Sequence, residues 1–479
     1  MSGRELKVTT RRSFFGLTAG AVTPLMLAAC GGEASSTQGG QASGGAKKPV
    51  TISYWGKWTG ASEEPENAVI ANFQQKFSHI TVEGLDNNQL AGEGALDREK
   101  FIAALAAGNP PEIIKIDRFK MGGHGAKGAT TILDDVVKRD KIDMKKFFPA
   151  TVEEVMYPPG QGGKITALPW NTDDRALYYN KKHFMEAGLD PNKPPKTWDE
   201  ALEMGKKLTK LEGGRLLRPG YVAWGANTNW SIGLQWAAGG QWLKPGADGK
   251  PNRKAAFNDA KGRAALEHVK ATVDQIFGSF QAYEEWRTRW GPREQGAWFN
   301  DGISMGVTGV WEIGNFKLYG KQVDFGVAPA PRPKGMEGTP TTWAGGFALA
   351  IPTGIKGEKF DAAWEFAKYY CYGKDAQLLF GSRTGQMPAL LEAAEDRAYK
   401  ESDPRMPVFV DVMKHAKIRD VTPAGDEIWF NDQAKSRNYA MFELGPRVLE
   451  GQRAIPDILN ESEKHVNQTL DEAWARAGK

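Results

Sequence analysis

Tryptophans in mixed surroundings are the first chemical signal in this chain. Sixteen are present, and many stand beside Gly, Asn, Asp or Glu rather than inside periodic apolar runs: Trp55-Gly56-Lys57-Trp58, Trp170-Asn171-Thr172-Asp173, Asn227-Thr228-Asn229-Trp230, Trp311-Glu312 and Trp343-Ala344-Gly345-Gly346. An indole face packs on the C–H face of a saturated ring, while that ring's hydroxyls require planar partners such as Asp, Asn and Arg. Any one of these tryptophans is explained equally well as core filler. Five mixed clusters together point to a surface that holds polyhydroxylated rings.

Enzyme chemistry finds less support. The six histidines, His79, His124, His183, His268, His415 and His465, show no paired ligand spacing, so no metal site is expected. No P-loop is present, and no cofactor is implied. Asp173-Asp174 remains open as a glycosidase dyad, because the separation that matters there is spatial. Gly123 to Gly128 satisfies GxGxxG but lies several residues beyond a strand and opens no amphipathic helix. A mobile glycine-rich loop is expected there.

At 479 residues the chain exceeds what one hydrophobic core usually organises, so two lobes are expected. Hydrophobic residues make up 41% and charged residues 25%, as in water-soluble proteins. Of the formal net charge of +4, residues before position 30 contribute +3, which leaves no basic surface that would imply a nucleic-acid partner. The two cysteines are Cys30 and Cys371, so a disulfide framework is excluded. Cys371, within Asp361 to Tyr372, has apolar helical neighbours and reads as a buried, inert thiol.

The N-terminus reads as an address. Thr10 to Gly16 (TRRSFFG) leads into an apolar run that ends in Leu27-Ala28-Ala29-Cys30, the order of a signal peptide. The run from Phe14 to Ala29 is interrupted by Gly16, Gly20 and Pro24 and is too short to span a bilayer. LAAC resembles the lipobox of bacterial lipoproteins, which implies that Cys30 is acylated, and TRRSFF resembles a twin-arginine export signal, with the Sec route left open. Gly31 to Lys48 has no large apolar side chain and reads as a flexible tether of about 20 to 25 Å mean reach.

Alternating elements must position the tryptophans. Val50 to Trp55, Glu66 to Phe77 and Ile80 to Val82 predict a βαβ opening. A helix over Arg98 to Ala107 is stopped at Gly108-Asn109-Pro110-Pro111, and Glu112 to Ile116 follows as a buried strand. A mostly parallel sheet results, with binding positions beyond strand ends, hence just after Trp55 and Ile116. A second α/β unit runs from the strand Arg175 to Tyr179 through helices at Lys182 to Ala187 and Trp198 to Leu208, the latter capped by Thr197. Further strands are expected at Ile303 to Val307, Asp324 to Val327 and Phe347 to Ile351, with a helical C-terminal region that includes Asp426 to Leu449.

With these stretches in view, the body resembles the family 1 extracellular solute-binding proteins, the group that includes maltose-binding protein. The most specific segment is Gly163 to Lys207 (GKITALPWNTDDRALYYNKKHFMEAGLDPNKPPKTWDEALEMGKK), supported by Ala104 to Asp117, Asp301 to Trp311 and Trp343 to Pro388. The resemblance implies an α/β, two-lobed periplasmic-binding-protein fold of type II, each lobe a mostly parallel sheet flanked by helices with the ligand cleft between. Expected bounds are a signal peptide at 1–29, a lipidated tether at 30–48, a first lobe of 49–174 plus 343–395 and a second of 175–342 plus 396–479. Residue by residue, Asp117 and Arg118 resemble a hydroxyl-binding pair, Asp173 an acidic cleft residue and Trp311 a stacking tryptophan. Trp55, Trp58, Trp170, Asn229, Trp230, Trp343, Gly345, Gly346, Arg383 and Trp429 are further candidates. The implied protein is a monomeric, lipid-anchored receptor outside the cytoplasm that hands a disaccharide or oligosaccharide to an ABC permease. A surface carbohydrate hydrolase and a receptor for another polar solute are the alternatives.

Overall fold

A computed structural model describes residues 48–86, 100–159, 162–223, 231–244, 254–291, 293–338, 341–428 and 451–478. The expected sites Cys30, Asn229, Trp230 and Trp429 lie outside the described residues, as does most of the helix expected over Asp426 to Leu449. Elements are named in chain order: β1 (Val50–Lys57), α1 (Glu63–Lys76), β2 (Ile80–Asp86), α2 (Phe101–Ala106), β3 (Ile113–Asp117), α3 (Met121–Ala126), β4 (Leu168–Pro169), β5 (Arg175–Asn180), α4 (Trp198–Leu208), α5 (Ser231–Ala237) and α6 (Ala260–Thr272). They continue as β6 (Met305–Gly309), α7 (Glu312–Tyr319), β7 (Phe325–Ala328), β8 (Phe347–Ala350), α8 (Gly357–Tyr372), α9 (Lys374–Thr384), α10 (Met406–Met413) and α11 (Ile455–Arg476).

The first lobe is built on a five-stranded sheet in the order β2-β1-β3-β8-β4. β1 runs parallel to β2 and β3, whereas β8 is antiparallel to β3 and β4, because it returns from the second lobe. The side-chain alternation of a strand explains the packing. Ile52 and Tyr54 of β1 join Val69, Ile70 and Phe73 of α1 and Trp364, Phe366 and Tyr370 of α8 in one core, while Ile114 and Ile116 of β3 face Phe101 and Met121 on the other side.

The second sheet has the order β6-β5-β7, and β5 is antiparallel to both neighbours. This corrects the mostly parallel second sheet expected from the sequence. β6, α7 and β7 do form a parallel β-α-β unit, but β5, which brings the chain in from the first lobe, inserts between its two strands in the opposite direction. Among the described residues the parallel step in this sheet's neighbourhood is the bridge between Val222 and Gly306. Leu177 and Tyr179 of β5 face a core with Trp198 and Leu202 of α4 and Val269 of α6, and Ala176 and Tyr178 face Phe316 of α7 and Phe409 of α10. Thr197 caps α4 as expected, in a reciprocal box with Glu200: each backbone N–H is bonded by the other's side chain at 3.1 Å.

Residues Gly123 to Gly128 do not form the expected loop. Met121–Ala126 is helical, and its glycines are there for close packing: a Cβ on Gly122 would lie 2.3 Å from the Thr422 carbonyl oxygen, and one on Gly125 2.6 Å from the Tyr157 side chain. Cys371 is buried in α8, and burial pushes its thiol well above the usual range, which accords with an inert role. Among the described residues no helix is long and apolar enough to cross a membrane.

Candidate functional site

The two sheets are joined where three segments run side by side. Asp173 bridges Gly345, Trp343 bridges Lys417, and Asn171–Thr172 pairs with Met387–Pro388. β3 ends at this crossing, so its last residue, Asp117, is delivered to the same place. Asp117 accepts the Phe119 N–H at 3.5 Å and meets Nη2 of Arg419 at 3.4 Å. The Arg419 guanidinium also stacks 4.0 Å from the Phe119 ring centre.

Arg175, the first residue of β5, is the centre of the cluster. Its Nη1 donates to the Asp173 carboxylate, and its guanidinium carbon lies 4.1 Å from the ring centre of Trp343 and 5.1 Å from that of Trp311. Burial holds this guanidinium below the usual arginine range; Asp173 opposes the shift and the charge of Arg419 adds to it. Arg175, Asp173, Trp311 and Trp343 thus form one contacting group, and the Asp117–Arg419 pair acts on it through charge. Trp311 is half-buried, its ring laid over Gly309 so closely that a Cβ there would lie 2.0 Å from it. Trp343 is almost fully buried and meets Trp236 edge-on at 6.2 Å.

Three expected binding residues are occupied otherwise. Arg118 has no exposure: Nε pairs with Glu154 at 2.9 Å, and the other nitrogens donate to the carbonyls of Asn171, Gly345 and Phe347 and to Thr172 Oγ1. It staples the crossing together and reads no hydroxyls. Trp170 likewise has no exposure, with Tyr370 and Phe380 rings each 4.9 Å away, so it is a core residue. Arg383 is exposed on α9 and pairs with Glu64 at 3.2 Å, apart from the cluster. Trp55 packs with the Ile114 and Ile116 group, on the opposite sheet face from Trp58.

Trp58 is half-buried and held from below. Its backbone N–H donates to Glu66 Oε2 at 2.5 Å, the Lys115 ammonium lies 3.6 Å from its ring centre, and Phe347 meets it edge-on at 5.1 Å. Phe347 is the cross-strand partner of Asp117, so Trp58 and Phe347 extend the wall that Asp117 begins. Gly345 and Gly346 act through backbone and space. A Cβ on Gly345 would lie 2.2 Å from Asp173 Oδ1, and Gly346 has φ +109 with Asn171 O 2.6 Å from a Cβ position.

Arg175, Arg419, Lys115 and Phe347 escaped the sequence reading. Arg175 had a signal, directly following two acids inside the most specific segment; Arg419 lies in no recognisable pattern. The glycosidase alternative loses its dyad here. Asp174 is fully buried and its carboxyl is pushed well up by that burial and then by Asp173, so it faces no substrate. Among the described residues no group of acids, histidines or cysteines could hold a metal ion. A cavity of about 730 Å³ is lined by Trp236, Trp242, Arg332, Thr341, Lys417 and Asp420 among others; Asp117, Asp173, Arg175, Trp311 and Trp343 are not in its walls.

Two α/β lobes meet at crossing segments that carry an aromatic and charged cluster, the architecture of a two-lobed binding protein. The chain matches the bacterial extracellular solute-binding protein family over residues 59–371 and belongs to it. It is 26% identical over 377 residues to the sn-glycerol-3-phosphate-binding periplasmic protein of Brucella melitensis, covering 74% of this chain and 77% of that one. The maltotriose-binding protein of Pyrococcus abyssi is 26% identical over 333 residues, 68% of this chain and 65% of that one. Among solved structures, an ABC substrate-binding protein of Listeria monocytogenes in complex with cycloalternan superposes with a TM-score of 0.72 at 18% identity, covering 89% of this chain and all of that one. The chain is therefore a receptor that binds a solute outside the cytoplasm, not an enzyme.

Proposed function

We propose that this chain is the substrate-binding component of an ABC importer and that its solute is a neutral carbohydrate, a disaccharide or oligosaccharide. The observation that carries this reading is charge balance in the aromatic cluster. Each arginine of the cluster has an acid within reach: Arg175 has Asp173 and Arg419 has Asp117. A ring stacked on Trp311 would meet paired charges that can share hydroxyl hydrogen bonds. The two relatives named above differ on this point, one named for sn-glycerol-3-phosphate and one for maltotriose, and the charge pairing favours the latter class.

The accompanying organisation is proposed from the sequence. Cys30 carries the lipid, residues 30–48 tether the body, 49–174 plus 343–395 form the first lobe and 175–342 plus 396–479 the second, and the receptor works as a monomer at the membrane's outer face. It hands its sugar to the permease after the lobes close. Titration calorimetry of the mature chain with maltotriose, mannotriose and sn-glycerol-3-phosphate tests the reading. A neutral sugar is expected to bind, with affinity lowered roughly tenfold or more by Trp311→Ala and no sugar cleaved. Binding of the phosphate ester alone would refute the carbohydrate assignment, and cleavage of the sugar would refute the receptor.

A further inference from the structure

Arg175 stands where the aromatic platform and the lobe crossing meet. Its backbone N–H donates to Thr342 Oγ1 at 2.9 Å, and its side chain is 12% exposed. The guanidinium lies between two indoles, with ring centres at 4.1 and 5.1 Å, while Nη1 donates to Asp173 and reaches the Trp343 carbonyl at 3.5 Å. A planar, delocalised cation can stack on two rings and still present an edge to a carboxylate; an ammonium cannot.

The neighbours are shaped for this arrangement. Gly309 is the cross-strand partner of Arg175, and the Trp311 ring lies on it where a Cβ would leave 2.0 Å. Gly345 makes room on the other side, since a Cβ there would lie 2.2 Å from Asp173 Oδ1 and 2.8 Å from Arg175 Nη1. Glycine thus occurs at both positions where a methyl group would displace the stacked unit. Gly309 and the Arg175 guanidinium both lie against Trp311, so the ring's orientation depends on both.

We infer that Arg175 is a positioning residue that fixes the Trp311 indole for stacking against a ligand ring and ties that platform to the lobe crossing through Asp173. This rests on the reading of Trp311 as the stacking residue for a neutral sugar. Because Asp173 neutralises the guanidinium, Arg175 contributes rigidity and a flat neighbour instead of a free charge. A lysine in its place keeps the charge and loses the plane, which separates positioning from electrostatics.

The test uses the mature chain labelled with 5-fluorotryptophan, the Trp311 fluorine resonance being assigned with Trp311→Phe. Without ligand, Arg175→Lys and Arg175→Met are expected to shift or broaden the Trp311 and Trp343 resonances while distant tryptophans such as Trp364 stay in place. Maltotriose affinity by calorimetry is expected to fall roughly tenfold in Arg175→Lys, with a thermal midpoint close to that of the parent chain. A Trp311 resonance unmoved in both variants overturns the inference, as does maltotriose binding within twofold of the parent. If the parent chain takes up no sugar, the carbohydrate reading fails, and the unliganded resonances still decide whether Arg175 holds the indole.

Discussion

The Arg118 guanidinium is turned wholly inward and neighbours a carboxylate with no exposure of its own. Removing one member of such a pair leaves the other buried and uncompensated, which costs about 3–5 kcal/mol. Arg118→Met is therefore expected to lower the unfolding free energy by about that amount in chemical denaturation, and Arg118→Met with Glu154→Leu to recover much of it. A ligand-reading arginine would instead lose affinity and little stability. The sequence made Asp117 and Arg118 look like a unit because they are adjacent, yet adjacent residues at a strand end point in different directions. Asp117 closes β3 toward the crossing, and Arg118 opens the next turn into the protein. The same limit hid the role of Trp170: a tryptophan beside Asn and Asp reads identically whether its ring meets solvent or Tyr370. Trp311 and Asp173 were singled out from segments that resemble the family, Asp301 to Trp311 and Gly163 to Lys207, whereas Arg419 depends on a contact made across 302 residues of sequence.

At the scale of elements, local chemistry was the readable part. The Thr197 box, the stop after Ala107 and the opening β1-α1-β2 unit arise from neighbours a few residues apart, and they formed where expected. The loop expected over Gly123 to Gly128 did not form: Met121–Ala126 is helical, because its glycines answer to Thr422 and Tyr157, distant in sequence. One element junction carries a measurable pH dependence. Asp140, at the end of the Asp134–Arg139 helix, accepts from Arg139 Nε at 2.7 Å, Trp364 Nε1 at 2.7 Å and Lys368 Nζ at 2.8 Å, tying that helix to α8. The hydrogen bond from Arg139 first, then those from Lys368 and Trp364, hold its carboxyl well below the usual carboxylate range. A carboxylate with a depressed folded-state pKa contributes stability that is fully present above its unfolded value, near 4, and is lost as pH falls below it. Asp140→Asn is expected to lower the thermal midpoint at pH 7, and the gap to the parent chain is expected to narrow steadily below about pH 4. A gap that stays constant with pH would mean the carboxylate's charge plays no part at this junction.

Over the whole molecule, opening and closing of the lobes must be governed by what runs between them. The segment after α10 does more than cross once: Lys417 pairs with Trp343, Arg419 meets Asp117, and Thr422 and Gly425 press against Gly122 and Gly123 of α3 in the first lobe. Ala424 and Ile428 then enter a core shared with Trp236, Trp242, Trp343 and the Ile458, Leu459, Leu470 and Trp474 side of α11. One stretch of chain therefore touches the first lobe through the Thr422 and Gly425 backbone and the Arg419 side chain, and the second lobe's core through Ala424 and Ile428. The contact at Gly122 is the place to perturb it, since an added methyl group would meet the Thr422 carbonyl at 2.3 Å and backbone cannot yield as a flexible side chain does. Overpacking of this kind costs about 1–3 kcal/mol. If the segment only fills space, Gly122→Ala should lower stability and leave ligand affinity alone. If it sets how the lobes meet, sugar affinity should fall along with stability, because Arg419 and Trp343 move with Thr422 and the closed arrangement becomes harder to reach. We expect the second result. Calorimetric affinity beside the thermal midpoint distinguishes the two, with Gly338→Ala, where a Cβ meets nothing within 4 Å, as the control that changes neither.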